Sequence, residues 1–247
     1  GSSLIEATVN SSAAEPSDAA FTALASGSDG TITNSDYETA IAKAEIEAAG
    51  TFMFLDEYNA TRNGYLKSHA AATQDKMVIM AGLESDSVSA AVADVANYRD
   101  TDGRIVYGFP WVQTEIGGEL VYTNPASWIA SVLSQTSPNV DPAFTANTAF
   151  LSGITALKVS MTRANYIALK DAGICGFEYD GDIGFKIKSG IVTQIADSSK
   201  VTILRRRMAD YLTSSVAKFL KNYQNAVNSA ENRKLVKGAI QGFVTSL

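Results

Sequence analysis

The first half of the chain alternates between amphipathic stretches and short apolar runs. Ser35–Glu38 has the pattern of a capping box, which predicts a helix that continues to about Ala49 and ends at Gly50. Predicted strands and helices then alternate, with strands at 51–56, 76–81 and 104–111 and helices at 61–74 and 86–98. This alternation with short connections is typical of an α/β layer whose strands run parallel.

The second half has a less regular pattern. Residues 117–122 indicate a short extended piece, 125–135 a helix, and 136–149 a Pro- and Asn-containing loop that marks a domain boundary. Further helices are predicted at 162–172, 203–223 and 230–246, and strands near 174–179, 183–188 and 191–195. We therefore expect an α/β fold with a parallel or mixed sheet layered with helices, followed by a smaller α+β portion that ends in two helices.

Charge is divided unevenly between the two halves. Residues 1–150 hold 6 Lys and Arg against 19 Asp and Glu, whereas residues 151–247 hold 14 against 7, within a net charge of −6. We expect an irregular lead-in at 1–34, an acidic α/β domain at 35–149 and a basic α+β domain at 150–247. Such halves offer complementary surfaces for self-association or for an acidic partner. The alternative is that the charged residues of each half only contact water and keep that half dissolved.

Composition excludes several classes of protein. The 247 residues are 46% hydrophobic, which is enough to build a sizeable core. The longest apolar runs are far shorter than the roughly 20 residues of a membrane helix, so no membrane insertion is predicted. The start, Gly1–Ser3, has the form of an expression scar rather than of a signal peptide.

The inventory of chemically active residues is small. Cys175 lies in an apolar run and is expected to be a buried small side chain, and His69 is expected on a helix surface. No phosphate-binding glycine loop, zinc motif or nucleophile elbow occurs, so we predict no catalytic residue, metal ligand or cofactor. The remaining enzyme hypothesis is a nucleotide-binding-like sheet with a site at its strand ends, around Asp56, Gly82 and Pro110.

The two carboxy-terminal helices are predicted to carry basic stripes. In helical projection Met208, Leu212 and Val216 share an apolar side that should face the core. The opposite sides collect the candidate interface residues, which are Arg207, Lys218 and Lys221 on the first helix and Arg233, Lys234 and Lys237 on the second. Such stripes could contact phosphates, and an acidic protein surface is an equally good partner for them. A nucleic-acid-binding module is the alternative, although no aromatic platform accompanies them.

Several segments along the chain contain recognisable short motifs, and they are Leu24–Gly30 with Asp36–Ile41, Arg104–Val112, Asn124–Ala130, Leu169–Ile174 and Val201–Leu212. Taken in this order, they resemble the contractile tail sheath proteins of bacteriophages and related injection machines. Within them the residues that match the family's motifs are Gly27, Asp29, Gly30, Pro110, Trp111, Pro125, Gly173, Arg205 and Arg206. The chain departs from those motifs at Ser26, where the family has glycine, and at Asn124, where it has a first proline.

The resemblance implies a structural and mechanical role without enzymatic activity. Copies would stack as rings around an inner tube, then contract and drive the tube through the host envelope, in virus entry and genome ejection. The implied partners are the chain itself, the inner tail tube protein, the baseplate and the tail terminator, with no nucleic acid. The implied location is the phage tail of the virion, after synthesis as a late protein in the host cytoplasm. The size of the chain and its divergence from the family's motifs are similar to those expected of a sheath protein from a giant phage of the phiKZ type. The chain also resembles a trimmed core fragment. Such a fragment is expected to be monomeric.

Overall fold

The computed structural model describes residues 31–47, 52–73, 75–223 and 228–245. The chain divides into two compact units, 1–33 and 34–247, and the described strands and helices lie in the second. Most of the predicted lead-in, with the motif residues Gly27, Asp29 and Gly30, lies outside the described residues.

Eight strands and seven α-helices make up the described part of the second unit. The strands are β1 (Phe52–Phe54), β2 (Met77–Ala81), β3 (Ile105–Phe109), β4 (Val112–Ile116), β5 (Glu119–Thr123), β6 (Ile154–Leu157), β7 (Ile174–Asp180) and β8 (Gly184–Ile187). The helices are α1 (Asn34–Glu45), α2 (Ala60–Ala72), α3 (Val88–Val95), α4 (Pro125–Gln135), α5 (Arg163–Ala172), α6 (Ile203–Leu220) and α7 (Ala230–Thr245). Short 3₁₀ helices extend α3 and α6 and precede β6.

The main sheet has five strands in the order β1-β2-β3-β7-β8. The first four run parallel, and β8 closes the edge as an antiparallel hairpin with β7. The carboxyl ends of β1, β2, β3 and β7 therefore lie along one edge of the sheet. This mixed sheet with helices packed on it confirms the predicted α/β fold class and the two carboxy-terminal helices.

Side chains of the central strands alternate between two cores, one on each face of the sheet. Met77 and Ile79 of β2 join Val106 of β3 in a core that includes Ile129 and Leu133 of α4. The opposite core is lined by Val78 and Met80 of β2, by Ile105 and Tyr107 of β3, and by apolar residues of α2, α3 and α5. Because helices cover both faces of the main sheet, β2 and β3 have continuous apolar sequences.

A second, three-stranded antiparallel sheet has the order β5-β4-β6. Gly117 and Gly118 form the two-residue turn between β4 and β5, with φ of 63° and 89°. Positive φ at both turn positions is the reason for two glycines, since the hairpin's twist requires it. The sequence interpretation recognised only an extended piece at 117–122 and missed β4 and β6.

One further expectation differs from the structure. The strand predicted at 191–195 is an irregular segment, which makes an isolated bridge from Ile191 to Thr202 and a hydrogen bond from the Thr193 N–H to the carbonyl of Ile105. The domain boundary at the 136–149 loop stays a prediction, and the main sheet includes strands from both sides of that loop, because β7 pairs with β3. Long-range strand pairing of this kind leaves no mark in local composition. No helix in the described ranges is long and apolar enough to cross a membrane.

Candidate functional site

The arginine run 205–207 begins α6, and its three side chains reach three different places. Thr202 caps the helix, because its hydroxyl accepts the N–H of Arg205 at 3.3 Å. The Arg205 side chain is exposed and donates to the carbonyl of Ser198. The side chain of Arg206 donates to the carbonyl of Asp102 and to the carboxylate of Asp210. The two motif arginines therefore hold the start of α6 on the loops beneath it.

Asp210 connects α6 to the sheet. Its carboxylate accepts two bonds from Arg104, which stands immediately before β3, at 3.0 and 3.2 Å. It also pairs with Arg206 one turn earlier on the same helix. Sequence pattern alone does not predict this three-residue cluster. The i,i+4 spacing of Arg206 and Asp210 is the one local signal for it, whereas Arg104 lies far away in the chain.

Arg207 is buried, which corrects the prediction that it lies on an exposed stripe. Only 8% of Arg207 is accessible to solvent. Its guanidinium donates to the carbonyls of Leu133, Thr136 and Ser137 and to the hydroxyl of Thr136, between 2.6 and 3.3 Å. These acceptors belong to the last turn of α4 and the residues after it, where helix carbonyls have no intrahelical partner. Burial lowers the pKa of Arg207 from its ordinary value.

The core-facing side of α6 also differs from the helical projection. Ile203 and Arg207 are its buried residues, whereas Met208, Leu212 and Val216 are only half-buried. The projection placed Arg207 outward because it counts every charged side chain as a surface residue. A guanidinium with four acceptors can instead occupy the buried side of a helix.

The other five candidate interface residues are exposed. They are Lys218 and Lys221 at the end of α6 and its 3₁₀ extension, and Arg233, Lys234 and Lys237 on α7. Arg233 and Lys237 flank a groove of about 480 Å³ beside Tyr223, Val236 and Ile240. Residues 218–247 carry five Lys and Arg but only one acidic residue, Glu231. This end of the molecule is therefore a basic surface around an apolar groove.

The carboxyl edge of the main sheet, where an enzyme site was the alternative, is filled by the chain's own side chains. The hydroxyl of Tyr107 donates to Asp94 at 2.7 Å, and Trp111 Nε1 donates to the carbonyl of Gly82 at 3.0 Å. A Cβ on Gly82 would overlap the Tyr107 hydroxyl and the Asp86 carboxylate. Burial, the bond to Asp94 and the charge of Asp94 raise the pKa of Tyr107. At the carboxyl ends of β2 and β3, packed aromatic side chains therefore stand where a glycine-rich phosphate-binding loop would be needed.

His69 lies in the interior, which corrects its expected place on a helix surface. The ring of His69 is fully buried in the last turn of α2, and neither nitrogen has a hydrogen-bond partner. Its Nδ1 lies 3.9 Å from the carboxylate of Glu45. Burial is the main cause that lowers its pKa below 6.5. The position of His69 three residues after the buried Leu66 was a signal for this face.

Cys175 is fully buried on β7, as expected, and burial raises the pKa of its thiol to about 12. A thiol with that pKa is almost wholly protonated at neutral pH and reacts poorly. Among the described residues no cluster of three His, Cys, Asp or Glu side chains is arranged to hold a metal ion.

The remaining motif residues have structural roles in the described part. Pro110 is buried after a cis peptide bond, and Pro125 is the first residue of α4, behind the side-chain cap of Asn124. Gly173 ends α5 with a left-handed φ of 84°. A Cβ there would lie 2.8 Å from the carbonyl of Val192, so no other residue fits without a shift.

No family model and no curated protein matches the sequence. Solved structures do match. A sheath tail protein from Desulfitobacterium hafniense has a TM-score of 0.70 at 17% identity, over 90% of this chain and 50% of that one. The helical sheath of the anti-feeding prophage in its contracted state has a TM-score of 0.68 at 17% identity, over 88% of this chain and 60% of that one.

The chain has the fold of contractile sheath proteins. A third match, a sheath tail protein from Listeria innocua, has a TM-score of 0.68 at 13% identity over 91% of this chain and 51% of that one. The chain therefore spans about half to three-fifths of the length of the sheath proteins that it matches.

Proposed function

We propose that the protein is a structural subunit of a contractile phage tail sheath. Copies polymerise around an inner tube and contract to drive that tube through the host envelope. The observation that supports this most is the shared fold, which covers about nine-tenths of this chain and includes a sheath in its contracted state. The resemblance of motifs spread along the chain points the same way.

The finer parts of the proposal follow from the family's architecture. The partners are other copies, the inner tube, the baseplate and the tail terminator, and the location is the phage tail. A giant phage of the phiKZ type as the source, and a trimmed core fragment as the form of the chain, also belong to the proposal. No described feature favours the enzyme or the nucleic-acid-binding alternative.

Energy for contraction would come from repacking of subunit contacts, as in other switching assemblies, without a cofactor. We infer that the exposed basic residues of α6 and α7 face an acidic surface in that assembly. A single exposed ion pair contributes only about 0–1 kcal/mol. The same pair repeated in every subunit can still set the register between neighbours.

Electron microscopy of the full-length protein expressed alone tests the proposal directly. Tubes of stacked rings are expected, and particles that stay dispersed at every salt and protein concentration would contradict it. Calorimetry with ATP, GTP and NAD is the complementary test, and micromolar binding of any of them would favour the enzyme hypothesis instead.

The role of the basic surface needs variants that leave the fold intact. Arg207 is unsuitable because it holds α4, so the variants are Lys218→Glu with Lys221→Glu, and Arg233→Glu with Lys234→Glu and Lys237→Glu. Normal tube length and contraction at the parent's salt concentration in both variants would show that these residues only solvate the surface.

A further inference from the structure

The β4–β5 hairpin ends in a tip, residues 115–120, that is exposed on both faces. Ile116 and Leu120 each expose 58% of their surface. Ile116 lies on the face that includes the buried Val112 and Thr114, whereas Leu120 pairs with Glu115 on the other face. Nothing lies within 4 Å of the Cβ positions of Gly117 or Gly118. If the hairpin only completed a sheet, the rest of the chain would cover at least one face of its tip. The apolar side chains exposed on both faces therefore indicate a contact surface.

The hairpin tip is acidic as well as apolar. It carries Glu115 and Glu119, both exposed. Residues 105–157 contain no Lys, Arg or His, so no basic residue near in sequence accompanies these two carboxylates. The tip is therefore complementary to a surface that has an apolar centre and a basic rim.

The α7 groove has that composition. Its apolar lining is Tyr223, Val236 and Ile240, and Arg233 and Lys237 stand on the same side of the helix at i,i+4 spacing. Where the side chains of α7 are described, each is half-buried or exposed. The groove, about 480 Å³ in volume, has room for an apolar side chain of the hairpin tip.

We propose that the hairpin tip of one copy docks into the α7 groove of a second copy. Ile116 or Leu120 enters the apolar centre, and Glu115 and Glu119 pair with Arg233 and Lys237. The two patches are different surfaces of the chain, and the contact is made head to tail, once per pair of copies, so the interface is heterologous. Repetition of a heterologous contact builds rings or open helical filaments. The inference rests on the proposed function and assigns one of its subunit contacts.

Cross-linking between singly substituted copies tests the contact. Leu120→Cys in one preparation and Gln241→Cys in another are mixed and oxidised with diamide. Cys175 contributes little background because it is fully buried. We expect a disulfide-linked dimer in the mixture, formed about tenfold faster than in either variant alone. The control mixture contains Glu38→Cys, on the exposed side of α1, with Gln241→Cys. Equal rates in the test and control mixtures would overturn the proposal.

Charge reversal provides a second readout. Glu115→Lys with Glu119→Lys in the Leu120→Cys background should slow cross-linking about tenfold, because like charges now meet. Arg233→Glu with Lys237→Glu in the Gln241→Cys background should restore the rate. Failure of the restoration contradicts the pairing. If the protein forms tubes but this cross-link does not form, the hairpin–groove contact is wrong and the proposed sheath function is unaffected. If no tubes form, the result counts against the sheath function itself.

Discussion

Arg104 and Asp210 lie 106 residues apart in the chain and form a two-bond ion pair, with Nη2–Oδ1 and Nη1–Oδ2 distances of 3.0 and 3.2 Å. The side chain of Arg104 is 6% exposed and that of Asp210 is 14% exposed. The pair fixes α6 against the beginning of β3, at the centre of the sheet. The basic helix thereby gains a defined orientation relative to the core.

Replacement of Asp210 by Asn should destabilise the fold. The substitution keeps the shape but removes the negative charge that accepts two bonds from the buried guanidinium of Arg104, at a cost of about 3 kcal/mol in the free energy of unfolding. Urea denaturation measures the change. Asp182→Asn, in the exposed turn before β8, is the matched control and should stay within about 0.5 kcal/mol. Equal effects of the two variants would contradict the structural role of the pair.

Replacement of Arg207 by Met should also destabilise the fold, although sequence alone places this residue on a solvated stripe. The loss leaves the carbonyls of Leu133 and Thr136 without their side-chain donor, which should cost about 2–4 kcal/mol. Lys218→Met, on the exposed part of α6, should change the free energy of unfolding by less than about 0.5 kcal/mol. Thermal unfolding followed by circular dichroism compares them, and an unchanged midpoint for the Arg207 variant would refute the assignment.

Acidification below about pH 6.5 should lower the free energy of unfolding of the protein. Because burial lowers the pKa of His69 in the folded state, the unfolded chain binds a proton at a pH where the folded chain does not. The free energy of unfolding therefore falls as the pH drops through this window. Urea titrations at pH 7.0, 6.0 and 5.5 measure the slope.

His69→Leu isolates this effect, since His69 is the chain's only histidine. The variant should lose most of the slope. At pH 7 it should be about as stable as the parent or more stable, because neither ring nitrogen makes a hydrogen bond. An unaltered slope in the variant would assign the pH dependence to other groups.

Two glycines in contrasting surroundings should respond in opposite directions to alanine. Gly82→Ala forces the Tyr107 hydroxyl away from Asp94 and should cost about 1–3 kcal/mol. Gly64→Ala, inside α2 with open space around its Cβ position, should stabilise by about 0.5–1 kcal/mol. Differential scanning calorimetry distinguishes the two shifts, and a neutral Gly82→Ala variant would show that the strand ends are not tightly packed.

Local pattern predicted those parts of the fold that depend on local chemistry. The apolar runs of β2 and β3 and the Asn124–Pro125 start of α4 lie within a residue or two of their predicted positions. Strand β4 was missed because Gln113, Thr114 and Glu115 interrupt its apolar pattern. The Gly117–Gly118 pair was the signal for a hairpin there.

The missed parts of the candidate site depend on distant partners. Arg207 is buried only because residues 133–137 supply its acceptors, and Arg104 needs a carboxylate from α6. Periodicity assigns a polar residue to the surface and has no information on such partners. The exposed lysines of α6 required no partner, so their surface position followed from the pattern alone.

The pairing of β3 with β7 has a consequence for synthesis on the ribosome. Strand β3 ends at Phe109, and its neighbour begins at Ile174. At ordinary elongation rates the nascent chain needs roughly 3 to 13 seconds to extend that far. During this interval one side of β3 offers unpaired main-chain groups to any other strand. Slower translation between these two residues should therefore lengthen the time in which β3 can pair with a wrong strand.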